Sequence, residues 1–230
     1  MLSSIAPRRA VLIFADAAGR DRVRRGFPTA CLPLLAVPNA DDAAADVHLF
    51  TRGRAPNETK NVHRQSGADF SERFENAIET LASLGYAEVV AVGRDCPALA
   101  AEDIARAFAE LQNQRLVLGP DHRGGCYLIA FRSADAALLR GIRWLKNTDC
   151  AQLRARCGPS EVFLLPTKHD LDSWADVRLL ARAGEIGGRL AALLGDLLQL
   201  APRYLRPFVD LSAQAVRVRG QMPPPSFLAA

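Results

Sequence analysis

Short apolar runs of strand length alternate along most of this chain with stretches whose apolar residues recur at helical spacing. AVLIFA (10–15), DVHLFT (46–51), EVVAV (88–92), RLVLG (115–119), CYLIAF (126–131) and EVFLLP (161–166) read as strands. Between them, DFSERFENAIETLASLG sets Phe70, Phe74, Ala77, Ile78, Leu81 and Leu84 on one helical stripe, with Asp69 or Ser71 as cap and Gly85 as stop. EDIARAFAELQ does the same with Ile104, Ala107, Phe108 and Leu111, and SWADVRLLARAG makes a helix after the last run. Strands joined through helices of this length need crossover connections. Such connections give a mainly parallel, Rossmann-like α/β sheet with helices on both faces.

The alternation stops at Gly184. Beyond it, Ile186, Leu190, Leu193, Leu194 and Leu197 form a helical stripe, and Pro202, Pro207 and a PPPS segment interrupt the remainder of the chain. The expectation is a domain over 1–184 and a helical extension with a loose tail over 185–230. The leucine stripe is expected to pack on the parent domain or on a second copy, as a homodimer through this C-terminal helix.

Charge and cysteine content narrow the function. A formal charge of +4 with pI near 9.0, carried largely by arginine, fits an anionic small molecule such as a nucleotide. There is no Lys/Arg block, no helix-turn-helix spacing and no aromatic RNA-binding motif, so a nucleic-acid partner is not expected. No run approaches the ~18 apolar residues of a membrane span. MLSSIAPRR followed by AVLIFA is too short for a secretory leader. Cys31, Cys96, Cys126, Cys150 and Cys157 are scattered and form no C-x-x-C pair, which points to a reducing cytoplasm rather than to a disulfide framework or a zinc site.

Acidic residues recur where strands should end. Asp95 follows EVVAV, Asp121 follows RLVLGP, and Asp170 and Asp172 follow EVFLLP. In a parallel sheet the ligand binds beyond the carboxyl ends of the strands, so all of these lie at the binding edge. Carboxylate oxygens suit Mg²⁺ or Mn²⁺, which share their coordination with substrate phosphates. Asp95, Asp170 and Asp172 are therefore the candidate metal ligands, with Asp95 and Asp172 the candidate catalytic carboxylates. Taken singly, each also fits a helix cap or a turn. The loop after the first strand, GRDRVRRG, supplies the opposite charge. Gly19, Arg22, Arg24 and Arg25, with Arg94 and Asp95, are the candidate nucleotide-binding residues. Asp121, Arg123, Gly124 and Gly125, in a turn between two strands, are candidates for the sugar or acceptor side. No G-x-G-x-x-G, P-loop or G-x-S-x-G motif is present, and the four histidines show no metal spacing.

VGRDCPAL, VLGPDHRGGCYLIAF and HDLDSWADV, in that order and at those separations, resemble a bacterial family of GT-A-like transferases. That family comprises arsenosugar-biosynthesis-type glycosyltransferases and radical-SAM-associated transferases. It is similar in fold to nucleotidyltransferases of the molybdenum-cofactor guanylyltransferase type. The resemblance covers roughly Ala10 to Gly184 and includes QSGADFSERFENA and GIRW. It implies a GT-A sheet and a metal-assisted glycosyltransferase that uses a nucleoside diphosphate-sugar. A nucleotidyltransferase that joins an NTP to a phosphorylated acceptor is the alternative. The chain departs from the family pattern in its first loop, where Arg24 replaces a lysine and Gly26 an arginine, and in its Gly-Gly turn, where Arg123 replaces an acid. These departures mark a divergent member and leave open a catalytically silent nucleotide-binding or partner-docking protein.

Overall fold

The computed structural model describes residues 6–15, 45–52, 61–93, 95–170 and 176. Seven strands form one sheet: β1 (Arg9–Ala15), β2 (Asp46–Thr51), β3 (Val62–Arg64), β4 (Glu88–Val92), β5 (Leu116–Pro120), β6 (Cys126–Arg132) and β7 (Val162–Leu164). Their order across the sheet is β3-β2-β1-β4-β6-β5-β7. All neighbours are parallel except those of β6, which runs antiparallel to both β4 and β5. The reason is local. β5 and β6 are joined by the short turn 121–125, which can only reverse the chain, whereas the other connections are long enough to cross over. The mainly parallel sheet expected from the sequence is present, and so is every apolar run read as a strand. β3 was not foreseen: Val-His-Arg is too short and too polar to stand out from its surroundings.

Three α-helices are given among the described residues: α1 (Phe70–Ser83), α2 (Ala101–Glu110) and α3 (Asp149–Arg154). Asp69 caps α1 by accepting a hydrogen bond from the Glu72 amide at 2.9 Å, and the Glu72 carboxylate accepts one from the Ala68 amide at 2.7 Å. The strands bury side chains on both faces. In β4, Val89 and Ala91 join the core under α1, while Val90 and Val92 join the core under α2. The first core is closed by an aromatic group in which Phe14 meets Phe74 edge-on at 5.2 Å and Phe74 meets Trp144 likewise. Fully burying a side chain of this size contributes about 1.5–3 kcal/mol, so the sheet is held from both sides.

The helix expected from Ser173 onward lies outside the described residues apart from the helical Asp176, and the extension over 185–230 lies wholly outside them. Among the described residues no helix is long and apolar enough to cross a membrane.

Candidate functional site

β1 has β2 on one side and β4 on the other, so the order of the strands reverses between β1 and β4. A sheet of this kind opens a crevice at such a switch point, beyond the carboxyl ends of the strands. Gln65, just past β3, ties two of those ends together: its side-chain amide donates to the carbonyls of Ala15 at 3.1 Å and Phe50 at 3.0 Å. Because β6 is reversed, its amino end reaches the same edge as the carboxyl ends of β4 and β5.

Asp95 stands three residues past β4, at the switch point and half-buried. Its carboxylate folds back over Gly93, where a Cβ would lie 2.5 Å from Oδ1. Gly93 therefore leaves the space in which this carboxylate rests, a role that no sequence motif announces. Asp170 reaches the same neighbourhood from β7. Burial, then the carboxylate of Asp170, and more weakly that of Asp95, push the pKa of the Cys96 thiol far up. Cys96 is accordingly a buried, protonated thiol with only 3% exposure, as its position beside a carboxylate suggests.

Lys168 fixes this pairing of loops and is likewise unmarked by any motif. Its backbone amide donates to the Pro120 carbonyl at 3.1 Å, and Leu165 donates to Leu118 at 2.8 Å, which carries the β7 strand on alongside β5. Its ammonium donates to the Ala98 carbonyl at 2.7 Å and pairs with Asp103 in the first turn of α2. The exit of β7 is thus tied to the loop after β4. The rings of His122 and His169 stack with centroids 3.6 Å apart, joining the turn after β5 to the same segment.

The turn 121–125 is built by Asp121. Its Oδ1 accepts hydrogen bonds from the Arg123 amide at 2.6 Å and the Gly125 amide at 2.9 Å, so this carboxylate performs the turn-forming work open to any aspartate here. The guanidinium of Arg123 pairs with Asp176. Gly124 has φ +100°, and a Cβ there would run into the Asn147 carbonyl. A Cβ on Gly125 would sit 2.5 Å from Asp121 Oδ2 and 3.6 Å from Asp149 Oδ2. The two glycines let the segment Leu145–Asp149 close onto the turn. That segment carries two left-handed non-glycine residues, Leu145 at φ +60° and Asn147 at φ +57°.

Asp149, which no motif singles out, is 8% exposed, and its Oδ1 has no hydrogen-bond partner among the described residues. Burial raises its pKa, the Lys146 amide works against the rise, and the Asp121 carboxylate adds to it. A carboxyl whose pKa is raised by folding destabilises the native state when ionised. The cost is absent below the free-aspartate value of 3.8 and complete above the folded value. Asp149→Asn is therefore expected to stabilise the protein at pH 7 by about 1 kcal/mol and to give no gain at pH 3, read from urea unfolding at the two pH values.

Of the residues expected to bind ligand, Asp95, Asp121, Arg123, Gly124, Gly125 and Asp170 are described and share this edge. Gly19, Arg22, Arg24, Arg25, Arg94 and Asp172 lie outside the described residues. Among the described residues no three His, Cys, Asp or Glu side chains form a metal-holding group.

Residues 29–146 match the model of the family DUF2064, described as "Uncharacterized protein conserved in bacteria". No curated protein matches the chain. Among solved structures, the chain is similar to a protein from Desulfovibrio desulfuricans G20 provisionally described as a nucleotide-diphospho-sugar transferase. The two are 24% identical with a TM-score of 0.67, over 86% of this chain and 98% of that one. It is also similar to Rv0371c of Mycobacterium tuberculosis H37Rv in complex with manganese (16% identity, TM-score 0.51, 76% of this chain and 98% of that one). A third likeness is to the 4-diphosphocytidyl-2C-methyl-D-erythritol synthase of Anaerococcus prevotii DSM 20548 (12% identity, TM-score 0.52, 75% of this chain and 94% of that one). The fold is thus that of the GT-A-like nucleotide-diphospho-sugar transferases and nucleotidyltransferases, as the resemblance in sequence implied.

Proposed function

The chain belongs to the bacterial family DUF2064, and from that premise we propose that it is a metal-assisted transferase that takes a sugar from a nucleoside diphosphate-sugar. What carries this reading is the place of Asp95 and Asp170 at the binding edge of the sheet, in the segments past β4 and β7 that Lys168 ties together. Asp95 and Asp170 would supply hard oxygen donors, with Asp172 a third close by in sequence, as suits Mg²⁺ or Mn²⁺, ions that share their shell with phosphate and water. Such an ion, when bound, neutralises charge on the diphosphate leaving group.

The residues of the chain do the rest. Arg22, Arg24 and Arg25, beside Gly19, hold the diphosphate beyond β1, and Arg94 adds charge next to Asp95. The Asp121–Gly125 turn, with the Arg123–Asp176 pair, walls the side where sugar and acceptor meet. Fold alone does not choose a chemistry. The likeness to a 4-diphosphocytidyl-2C-methyl-D-erythritol synthase favours a second reading, in which the same edge joins an NTP to a phosphorylated acceptor and releases pyrophosphate.

A thermal-shift screen of nucleoside diphosphate-sugars and NTPs, with and without Mn²⁺, tests the proposal. A ligand present at a hundred times its Kd stabilises the native state by about 2.7 kcal/mol. The expected result is a rise in Tm with at least one nucleoside diphosphate-sugar that depends on Mn²⁺, accompanied by release of the nucleoside diphosphate. A rise with NTPs alone and release of pyrophosphate selects the second reading. No response to either class removes both and leaves the catalytically silent alternative.

A further inference from the structure

Two histidines unused by the proposed transferase join β3 to β2. His48 lies in β2 and His63 in β3. His48 Nδ1 and His63 Nε2 are 2.9 Å apart, a hydrogen bond in which one ring nitrogen donates and the other accepts. The ring planes differ by only 22°, and the centroids stand 5.2 Å apart, close to the N···N distance plus the two ring radii. The rings thus meet edge to edge, nearly in one plane, along a straight N–H···N bond. His63 stacks on Phe50 with centroids 4.5 Å apart, and the rings of His48 and Tyr86 meet edge-on at 4.8 Å. His48 is 3% exposed, and its other nitrogen, Nε2, has no hydrogen-bond partner among the described residues. β3 itself is short and pairs with β2 through only three residues, at the edge of the described sheet. Two residues past His63, Gln65 holds the carbonyls of Ala15 and Phe50 at the ends of β1 and β2.

We propose that the His48–His63 contact is an acid-operated catch on β3, whose opening withdraws Gln65 from the switch point of the sheet.

The mechanism follows from counting protons. The neutral pair holds one hydrogen between the rings. With one proton added, the single ring nitrogen still without hydrogen can remain the acceptor in the contact. A second proton leaves no acceptor and sets two N–H groups against each other, so the rings part. The surroundings resist protonation. Burial lowers the pKa of both rings from the ordinary 6.5. At His48 the neighbouring His63 adds to the effect of burial, Asp46 opposes it, and Arg8 adds to it more weakly. Tyr86 has its hydroxyl engaged with Asp46 at 2.6 Å. From β1 the residue beside His48 is the apolar Leu12, and α1 covers this face of the sheet with Ala77, Ile78 and Leu81. With β3 open and the rings in water, both bind protons at the ordinary value, whereas in the closed state they bind them only at lower pH. Closure is therefore favoured above pH 6.5 and is lost as the pH falls below it. Each proton taken up on opening raises the open fraction by up to about tenfold per pH unit.

The inference stands apart from the transferase reading, because its test needs no nucleotide. Amide hydrogen exchange of the full chain is followed residue by residue by NMR at about pH 7.5 and about pH 5.5, corrected for the intrinsic pH dependence of exchange. The amides of Leu49 and Gln65 report on the β2–β3 contact, since they donate to Asn61 and Thr51, each at 3.1 Å. Their protection is expected to fall about ten- to a hundredfold at the lower pH, while the amides of β4 keep theirs. The side-chain amide of Gln65 is expected to lose protection alongside them. Replacing both rings, His48→Gln with His63→Gln, is expected to abolish the fall. In the natural protein the ring signals of His48 and His63 are expected to titrate below pH 6.5. Unchanged protection at Leu49 and Gln65, an equal fall throughout the sheet, or a fall that survives the double substitution overturns the catch. Loss at the backbone amides with the Gln65 side chain still protected overturns its link to the switch point. The amides and ring signals of the natural protein decide the matter even if the double variant fails to fold.

Discussion

Asp95→Asn is expected to lower the affinity of a responding nucleotide, measured with Mn²⁺ present, by at least about tenfold. Its unfolding free energy should stay within about 0.5 kcal/mol of the natural protein. The side chain is only half-buried, and asparagine keeps its shape and its ability to form turns, so the fold loses little. What disappears is the negative charge at the switch point. Gly93→Ala is the companion test. A Cβ there occupies the place where the Asp95 carboxylate now rests, 2.5 Å from Oδ1, and the carboxylate can swing away at small cost to stability. It should therefore reproduce the binding defect with Asp95 still present. If Asp95→Asn unfolds the protein while nucleotide affinity is unchanged, the residue is a turn former and nothing more.

A large loss of stability from a single methyl group is expected at Gly124. Alanine there meets two obstacles at once: a φ of +100° and the Asn147 carbonyl lying inside van der Waals contact. The carbonyl cannot retreat easily, because Asn147 is itself held at φ +57° in a segment that ends at the buried Asp149. We expect Gly124→Ala to cost about 3 kcal/mol, measured as a lower urea midpoint at unchanged m-value. Gly158→Ala is the control. Its Cβ would meet only the flexible end of Glu161 at 3.2 Å and should cost less than about 1 kcal/mol. Equal effects at the two glycines would mean that the segment 145–149 does not press on the turn.

The parts of this protein that are legible in its sequence are those written in local pattern. The period of the apolar residues defines the sheet and its helices, because burial on two faces forces that pattern on any chain of this class. The rule that ligands bind at strand ends places Asp95 and Asp170 at one edge from the order of strands alone. Asp121 shows the limit of this reasoning. Placed at a strand end like the others, it directs Oδ1 into its own turn, and a sequence cannot say which of two local uses an aspartate will take. Gly93, Lys168 and Asp149 are invisible for a different reason. Their roles depend on which distant segments arrive beside them: Lys168 meets Asp103 from 65 residues away. The short strand Val62–Arg64 escapes because it gains its pairing from β2 rather than from any preference of its own.

The reversed strand β6 also bears on how the chain reaches this structure. β5 and β6 are neighbours across a five-residue turn, so their pairing closes a small loop and can form early. β1 and β4 must instead bring together residues such as Arg9 and Glu88, 79 positions apart, at a greater cost in chain entropy. β4 has no parallel neighbour on its far side to wait for: the hairpin presents β6 to it ready-made, and β7 adds to the outer edge of β5. The sheet is thus assembled from a local hairpin and a set of long-range crossovers that meet at β4. The seam between those two kinds of folding event is the strand from whose end Asp95 emerges.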